Sequence, residues 1–441
     1  MEVVRATRRL LALLLVGGLL ISLDVVGVAR TGALGMAIVI SILALRVYTS
    51  LAQTALATCR VRGSYKGFIE GGDVDVEYEV CNDSIIPIAF VELSLSYPQY
   101  LRLSRGSRGG LIAIPPRGCI EYRVSFKGRV GLHRIGPLRA VLRDPLGLYR
   151  GVELNLGHVI EVRVRPRVSE RLVRALLQAS RATGVSRSRR PGEGVEFYSV
   201  RDYRQGDELR RVYWKALARG KLAVKEFESE TSAYILFILA LDETALYGPY
   251  LETPLEHASR ILATVADYAS RRGDIIALLI IGPGVLEGTR FRRGRRGYVE
   301  VLNLLTSIDY EKHVLRTGPE AKAMMGDGAR IVKYIKSMCP RERINVIILT
   351  PASEKTINVI KNLSPLRSMG FSLNTFILIP QLYGLTKLSP FEIAVYRLKV
   401  YNDIKRAYDK ARELRSNGIR TVIVTPWETP SRIMATLNPI R

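Results

Sequence analysis

A chain of 441 residues exceeds one ordinary hydrophobic core, and at roughly 150 residues per domain it should hold about three units. Hydrophobic residues make up 47% and charged residues 24%, globular proportions that exclude a largely disordered chain. The 66 Lys and Arg against 41 Asp and Glu leave a formal charge of +25, which should attract phosphate-bearing surfaces, either lipid headgroups or nucleic acid.

From Leu10 to Ala29 the chain is apolar except for Asp24, about the length a helix needs to cross roughly 30 Å of hydrocarbon. Asp24 lies toward the far end of that span, where a carboxylate costs little. A second apolar run begins at Ala33; it reaches crossing length if Arg46 snorkels to the headgroups and the helix continues to about Ala57, with Tyr48 at interface depth. Residues 1–57 thus read as a transmembrane helical hairpin. The competing reading is a cleaved signal peptide, with Arg5, Arg8 and Arg9 before the apolar stretch and Gly27-Val28-Ala29 as the cleavage site; the second run weighs against it. Arg60, Arg62 and Lys66 follow the hairpin while the turn offers Arg30 alone, so both ends are expected on the cytoplasmic side of the cell membrane.

Residues 58–165 alternate like half-buried strands, as in Val74 to Val80 and Ile120 to Phe126, with turns at Gly71-Gly72-Asp73, Asn82-Asp83-Ser84, Gly109-Gly110, Pro115-Pro116 and Gly136-Pro137. That pattern predicts an antiparallel β-sandwich. Glycine-rich Arg105 to Gly110 reads as a hairpin tip rather than a phosphate loop. Cys59, Cys81, Cys119 and Cys339 form no C-x-x-C pair, so neither a zinc site nor a disulfide framework is indicated and buried thiols in a reducing compartment are expected. Pairing of Cys81 with Cys119 and palmitoylation of Cys59 are the alternatives.

Residues 166–230 open as a basic connector. Arg163, Arg165, Arg167, Arg171, Arg174, Arg181, Arg187, Arg189 and Arg190 are opposed only by Glu170. Phe and Tyr are absent between Arg163 and Arg190, so base stacking has no platform and lipid phosphate is a simpler partner than nucleic acid. High arginine with few Gln and Cys also suggests a heat-adapted source.

The stretch Gly192 to Glu230, GEGVEFYSVRDYRQGDELRRVYWKALARGKLAVKEFESE, resembles the signature of the domain-of-unknown-function 58 family. The resemblance rests on Arg201-Asp202-Tyr203, Gly206-Asp207, Arg210, Trp214-Lys215 and Ala218-Arg219, and upstream on Arg143-Asp144-Pro145-Leu146-Gly147-Leu148. Physically, Asp207 is placed where a helix would begin, with Arg210, Arg211, Trp214, Lys215 and Ala218 at helical spacing behind it. Such a face is either a docking surface anchored by Trp and Arg or an intrachain lock of ion pairs and indole packing against the next domain.

Beyond residue 231 apolar strands alternate with amphipathic helices, predicting an α/β domain over 231–441 with a largely parallel sheet. The strands are Tyr234 to Leu241, Ile275 to Ile281, Ile344 to Leu349, Ser372 to Ile379 and Arg420 to Val424; the clearest helices are Leu255 to Arg271, Ala329 to Ser337 and Pro390 to Arg415. The resemblance implies that this Rossmann-like domain is similar to a von Willebrand factor A domain, whose D-x-S-x-S metal site here reads Asp242-Glu243-Thr244-Ala245-Leu246. Asp242 and Thr244 are the candidate ligands for an ion such as Mg2+. Leu246 supplies no oxygen, and the later strand end Leu349-Thr350-Pro351 offers only the Thr350 hydroxyl. Asp242 capping the following turn is the alternative, and no cofactor is expected.

There is no Walker loop, H-E-x-x-H, G-x-S-x-G or helix-opening G-x-G-x-x-G. His133, His158, His257 and His313 fall in separate elements. These readings point to a non-enzymatic, membrane-anchored interaction protein. The resemblance implies a partner of the MoxR type among AAA+ ATPases, acting in the assembly or activation of a complex; binding of nucleic acid or anionic lipid is the alternative.

Overall fold

The computed structural model describes residues 4–182, 188–229, 233–318, 327–339, 343–379 and 389–424. The chain divides into two compact units, Met1–Val164 and Arg165–Arg441.

The first unit opens with the strand Val4–Ala6 and two helices, Arg8–Val25 and Gly32–Ala57. The helices cross closely because both carry glycine at the contact: a Cβ on Gly35 would lie 2.7 Å from the Gly17 carbonyl oxygen, the small-residue packing familiar between lipid-exposed helices. Their outward residues, among them Leu15, Leu19, Leu34 and Leu43, are exposed. Among the described residues, Gly32–Ala57 is the one helix long and apolar enough to cross a membrane; Arg8, Arg9 and Asp24 fall within the 18 residues of the first helix.

The end of the second helix does something its composition concealed. Ala52, Ala55 and Leu56 are buried in the same core as the strands that follow. Gln53 Nε2 donates to the Val152 carbonyl at 3.0 Å, and the Tyr48 hydroxyl donates to Pro87 O and accepts from Ala89 N, both at 3.0 Å. The Arg46 guanidinium stands 5.5 Å from the centre of the Tyr149 ring, a cation–π arrangement that takes the place of snorkelling.

Two antiparallel four-stranded sheets share this core. One runs in the order Arg60–Lys66, Asp73–Cys81, Cys119–Lys127, Leu103–Arg105; the other runs Leu154–Leu156, Leu138–Leu142, Ile88–Leu95, Gly109–Ile114. Val74, Val76, Tyr78 and Val80 point inward from the first, and Val91, Leu93 and Leu95 from the second, the period of two expected of strands with one buried face; Ile88 joins them across a register shift before Val91. The segment Arg105 to Gly110 is no hairpin tip, since Leu103–Arg105 and Gly109–Ile114 belong to different sheets and the chain crosses between them. Gly106, at φ +87°, permits that crossing where a Cβ would meet Arg123 O at 2.9 Å.

The expectation of buried thiols at Cys81 and Cys119 is overturned. The two residues face each other in the register of adjacent antiparallel strands and form a disulfide. Cys119 is exposed rather than buried. Cys59 and Cys339 are free and half-buried, and burial raises the Cys59 thiol to about 11 and the Cys339 thiol to about 12, leaving both poor nucleophiles.

The turn Asp144 to Tyr149 ties the helices to the sheets. The buried Asp144 carboxylate accepts from the amides of Leu146, Leu148 and Tyr149 at 3.2, 3.0 and 2.8 Å. On the turn so fixed, Thr7 donates its amide to Leu148 O and its hydroxyl to Gly147 O, and Val4–Ala6 pairs with Tyr149–Gly151. Leu10 and Ile42 pack with Leu148 and Tyr149.

The second unit contains a mostly parallel sheet in the order Val285–Gly288, Ile275–Gly282, Tyr234–Ala240, Ile344–Pro351, Ser372–Leu378, Arg420–Val424, with only the first of these antiparallel to its neighbour. Helices Gly328–Met338, Glu354–Lys361 and Pro390–Ser416 cover one face. Pro254–Arg272 and Gly294–Thr306 pack on each other and against the sheet away from that cluster. The strands are buried on both faces and therefore read as continuous apolar runs. Pro254–Arg272 begins at a reciprocal capping box between Thr253 and Glu256 and ends at Gly273 in the left-handed conformation. The basic connector is partly a helix, Glu170–Ala182, that packs on Pro254–Arg272; the side chains of Arg181, Arg187, Arg189 and Arg190 lie outside the described residues.

Asp144→Ala should strip the buried amides of Leu148 and Tyr149, and the part-buried amide of Leu146, of their acceptor and lower unfolding free energy by about 2 kcal/mol or more, measured by denaturant titration in detergent. An unchanged midpoint would contradict this role for the turn.

Candidate functional site

Two places in the second unit hold the residues singled out by sequence. The first is the hairpin of Ser188–Asp202 and Ala223–Ser229, antiparallel and bulged, whose connection carries the signature. Arg201 binds Asp207 through both terminal nitrogens, at 2.7 and 2.6 Å, and its Nε donates to Glu226 Oε1 at 3.0 Å. Glu226 also accepts from the Ser199 hydroxyl at 2.7 Å, and Asp207 accepts from the Arg204 amide at 2.8 Å. A planar guanidinium thus clamps both ends of the loop, a role a lysine could not fill. Gly206 at φ +107° makes the turn that returns Asp207 to Arg201.

Asp207 therefore does not cap a helix, and the signature is not one helix. Leu209–Arg211 is a 3-10 turn and Trp214–Leu217 a single helical turn. Between them Val212 bridges Val224 and the Tyr213 amide donates to Ala223 O at 2.8 Å, strand-type bonds that break any helical run. The loop instead displays its large side chains: Trp214 is 63% and Leu209 70% exposed. Asp202, Arg210, Lys215 and Arg219 are exposed beside them. The ion pairs of an intrachain lock are present, but the indole does not pack into one.

The Arg201 hydrogen bonds, followed by the Arg204 amide, hold the Asp207 carboxyl down at about 2. A depressed carboxylate adds stability that is complete above its unfolded value near ~3.9 and is lost as pH falls through the folded value. Trp214 fluorescence should accordingly stay constant from neutral pH down to about 4 and change only between there and about 2; a change near pH 5 would contradict the clamp.

The second place is the carboxyl end of the sheet, where Tyr234–Ala240 and Ile344–Pro351 lie side by side. Asp242, fully buried, accepts at Oδ1 from the Thr244 amide at 3.0 Å and hydroxyl at 2.5 Å. Its Oδ2 is buried with no hydrogen-bond partner. Around it the donors are already committed: the Thr350 hydroxyl donates to Pro351 O at 3.0 Å, Glu243 pairs with Lys355 at 2.5 Å, and Leu246 has no oxygen. The Lys355 ammonium stands in the field of Asp242 as well, which raises it further after the larger effect of Glu243. The uncommitted protein oxygen here is one carboxylate oxygen beside an ammonium, so Mg2+ would have to take its other ligands from water, and the residues present fit that ion poorly. Asp242→Ala should cost about 1 kcal/mol by removing the cap of Glu243–Leu246, and millimolar Mg2+ should leave the wild-type unfolding midpoint unmoved; a rise with Mg2+ that Asp242→Ala abolishes would overturn this.

The four histidines do not converge. His133 Nε2 lies 2.7 Å from Arg129 O, His313 bonds to Asp309 and Glu287, and His257 stands 2.6 Å from Glu252. Burial, helped by Arg260 and opposed by Glu252, lowers His257 to about 4, so it is neutral near pH 7.

Residues 199–361 match the family model described as protein of unknown function DUF58; that segment runs from the signature hairpin through the helix Glu354–Lys361. No curated protein matches the chain. Among solved structures, a GH20 exo-β-N-acetylglucosaminidase from Vibrio harveyi is 10% identical, with 83% of this chain and 75% of that one covered and a TM-score of 0.25. A family two carbohydrate esterase from Cellvibrio japonicus is 8% identical, with 80% and 99% covered and a TM-score of 0.17. Likenesses this low carry no argument about fold or activity.

Proposed function

We propose that the protein is a non-enzymatic, membrane-anchored interaction protein whose signature hairpin docks a cytoplasmic partner. The observation that carries this is Trp214, exposed at 63% on a loop clamped by Arg201, Asp207 and Glu226. A rigid aromatic flanked by Arg210, Lys215 and Arg219 is the composition of an interface hot spot with little ordering left to lose. The docking reading is favoured over an intrachain lock because the indole lies open.

The finer expectations belong to the same reading. The sheet order, with one antiparallel edge, is compatible with a von Willebrand factor A-like domain that works without a metal. The family resemblance makes a MoxR-type AAA+ ATPase the partner, in assembling or activating a complex. Both N-terminal helices sit in the bilayer, with Arg8 and Arg9 at the headgroups, Arg46 held over the Tyr149 ring and both chain ends cytoplasmic. A cytoplasmic disulfide suits a heat-adapted source.

Trp214→Ala in the full-length chain should reduce recovery of such an ATPase from solubilised membranes by about tenfold or more, with the unfolding midpoint unchanged. Recovery of no ATPase by the wild type, or equal recovery by the variant, would contradict the proposal. The second reading rests on the +25 charge: capture of the Trp214→Ala chain by anionic vesicles as efficiently as wild type, with no protein partner, would favour it.

A further inference from the structure

On the outward face of the first unit, Glu79 and Cys81 lie two residues apart on Asp73–Cys81, and Cys119 begins the neighbouring strand opposite Cys81. Tyr78 and Val80, alternating with them, are fully buried in the core, so the backbone beneath is held. One carboxylate oxygen and the two sulfurs all lie within 4.8 Å of one another. Glu121 faces Glu79 in the register on the same side of the sheet. Among the described residues this is the one cluster of three metal-ligating side chains so close together.

We propose that, once the Cys81–Cys119 disulfide is reduced, Cys81, Cys119 and Glu79 form a binding site for Zn2+. Two thiolates and a carboxylate suit a borderline-soft d10 ion and disfavour Mg2+ or Ca2+. With Zn–S of about 2.3 Å a tetrahedral ion holds its sulfurs roughly 3.8 Å apart, which directly opposed cysteines supply by side-chain rotation alone. The fourth position falls to water, since Cys119 is exposed and Glu121 is paired with Arg123 at 3.2 Å. Three anionic ligands exceed the ion by one charge, and Arg62, opposite Glu79 on the other neighbouring strand, lies where it offsets that excess. Arg60 is held by Asp83 at 2.6 Å and does not compete for Glu79.

The chemistry balances with a dithiol reductant. One of its thiolates attacks the exposed Cys119 sulfur, breaking the Sγ–Sγ bond and releasing Cys81 as thiolate. Its second thiolate displaces Cys119 from the mixed disulfide and leaves as the oxidised reductant, so two electrons pass to the protein sulfurs. Zn2+ then binds both as thiolates and expels whatever protons they carry. The disulfide and the ion exclude each other, because both use the same two sulfurs.

The test uses the full chain in detergent with Cys59→Ser and Cys339→Ser, reduced by a phosphine that is then removed. Co2+ titration should give a thiolate-to-cobalt charge-transfer band at one ion per chain, absent before reduction, and Zn2+ should abolish it by displacement. Glu79→Gln should still form the disulfide yet weaken Zn2+ binding by about tenfold or more, read against a chromophoric chelator. Cys119→Ser should lose the band; alkylating the reduced parent chain should lose it as well, which keeps the test decisive if that variant does not fold. A reduced chain that binds no Co2+ or Zn2+, binding that survives alkylation, or a Glu79→Gln affinity equal to the parent would overturn the site.

Discussion

The first unit depends on a helix whose last turns are built into the β-rich core. Gly32–Ala57 has 26 residues, about 39 Å at 1.5 Å per residue. Its last turns are core: Ala52, Ala55 and Leu56 are packed among the strands and Gln53 is hydrogen-bonded there. The exposed remainder, roughly two-thirds, is apolar and lies against a partner helix through Gly17 and Gly35. A helix so committed at one end is no flexible tether. In the proposed anchor, the β-rich unit follows the helix pair rigidly, with the Asp144 turn as the second point of attachment and Tyr149 receiving Arg46.

The same economy governs the signature loop. Its backbone has little helix or sheet to stiffen it, so order comes from charge: one guanidinium shared between Asp207 and Glu226. Such a clamp can hold a loop while leaving its apolar residues in water, which core packing could not do. Leu209 and Trp214 are the result, and their cost in solvent exposure is what gives a docking surface its value. At the sheet end the reverse holds. Asp242 is buried and spends one oxygen on Thr244, and the Lys355 ammonium stands in its field.

Much of this architecture was legible because it is written in unbroken apolar runs. Parallel strands buried on both faces, such as Tyr234–Ala240 and Ile344–Pro351, have few other readings, and a Thr253-Pro254 start with Glu256 marks its helix directly. Val285–Gly288, of four residues, and Arg292–Arg293, two residues that pair antiparallel with Ile275–Gly282, are too short to give a periodic signal. Ala52, Ala55 and Leu56 look alike whether they meet lipid or protein, so the docking of the helix end was hidden. The signature loop misled because Arg210, Trp214 and Ala218 keep helical spacing while Val212 and Tyr213 pair with a strand. The Cys81–Cys119 bond required the register, which sequence spacing does not supply; alternation alone could have placed Glu79 and Cys81 on one face.

The central claim, that the two N-terminal helices form a lipid-facing pair whose second member ends inside the β-rich unit, is tested most directly by site-directed spin labelling of the full chain in vesicles. Labels at Leu15, Leu19, Ile40 and Leu43 should collide readily with oxygen and be shielded from a water-soluble relaxant, while a label at Thr54 should be open to the relaxant. Water access at Leu15 and Leu19 would contradict the paired anchor, and lipid access at Thr54 would contradict the docked helix end.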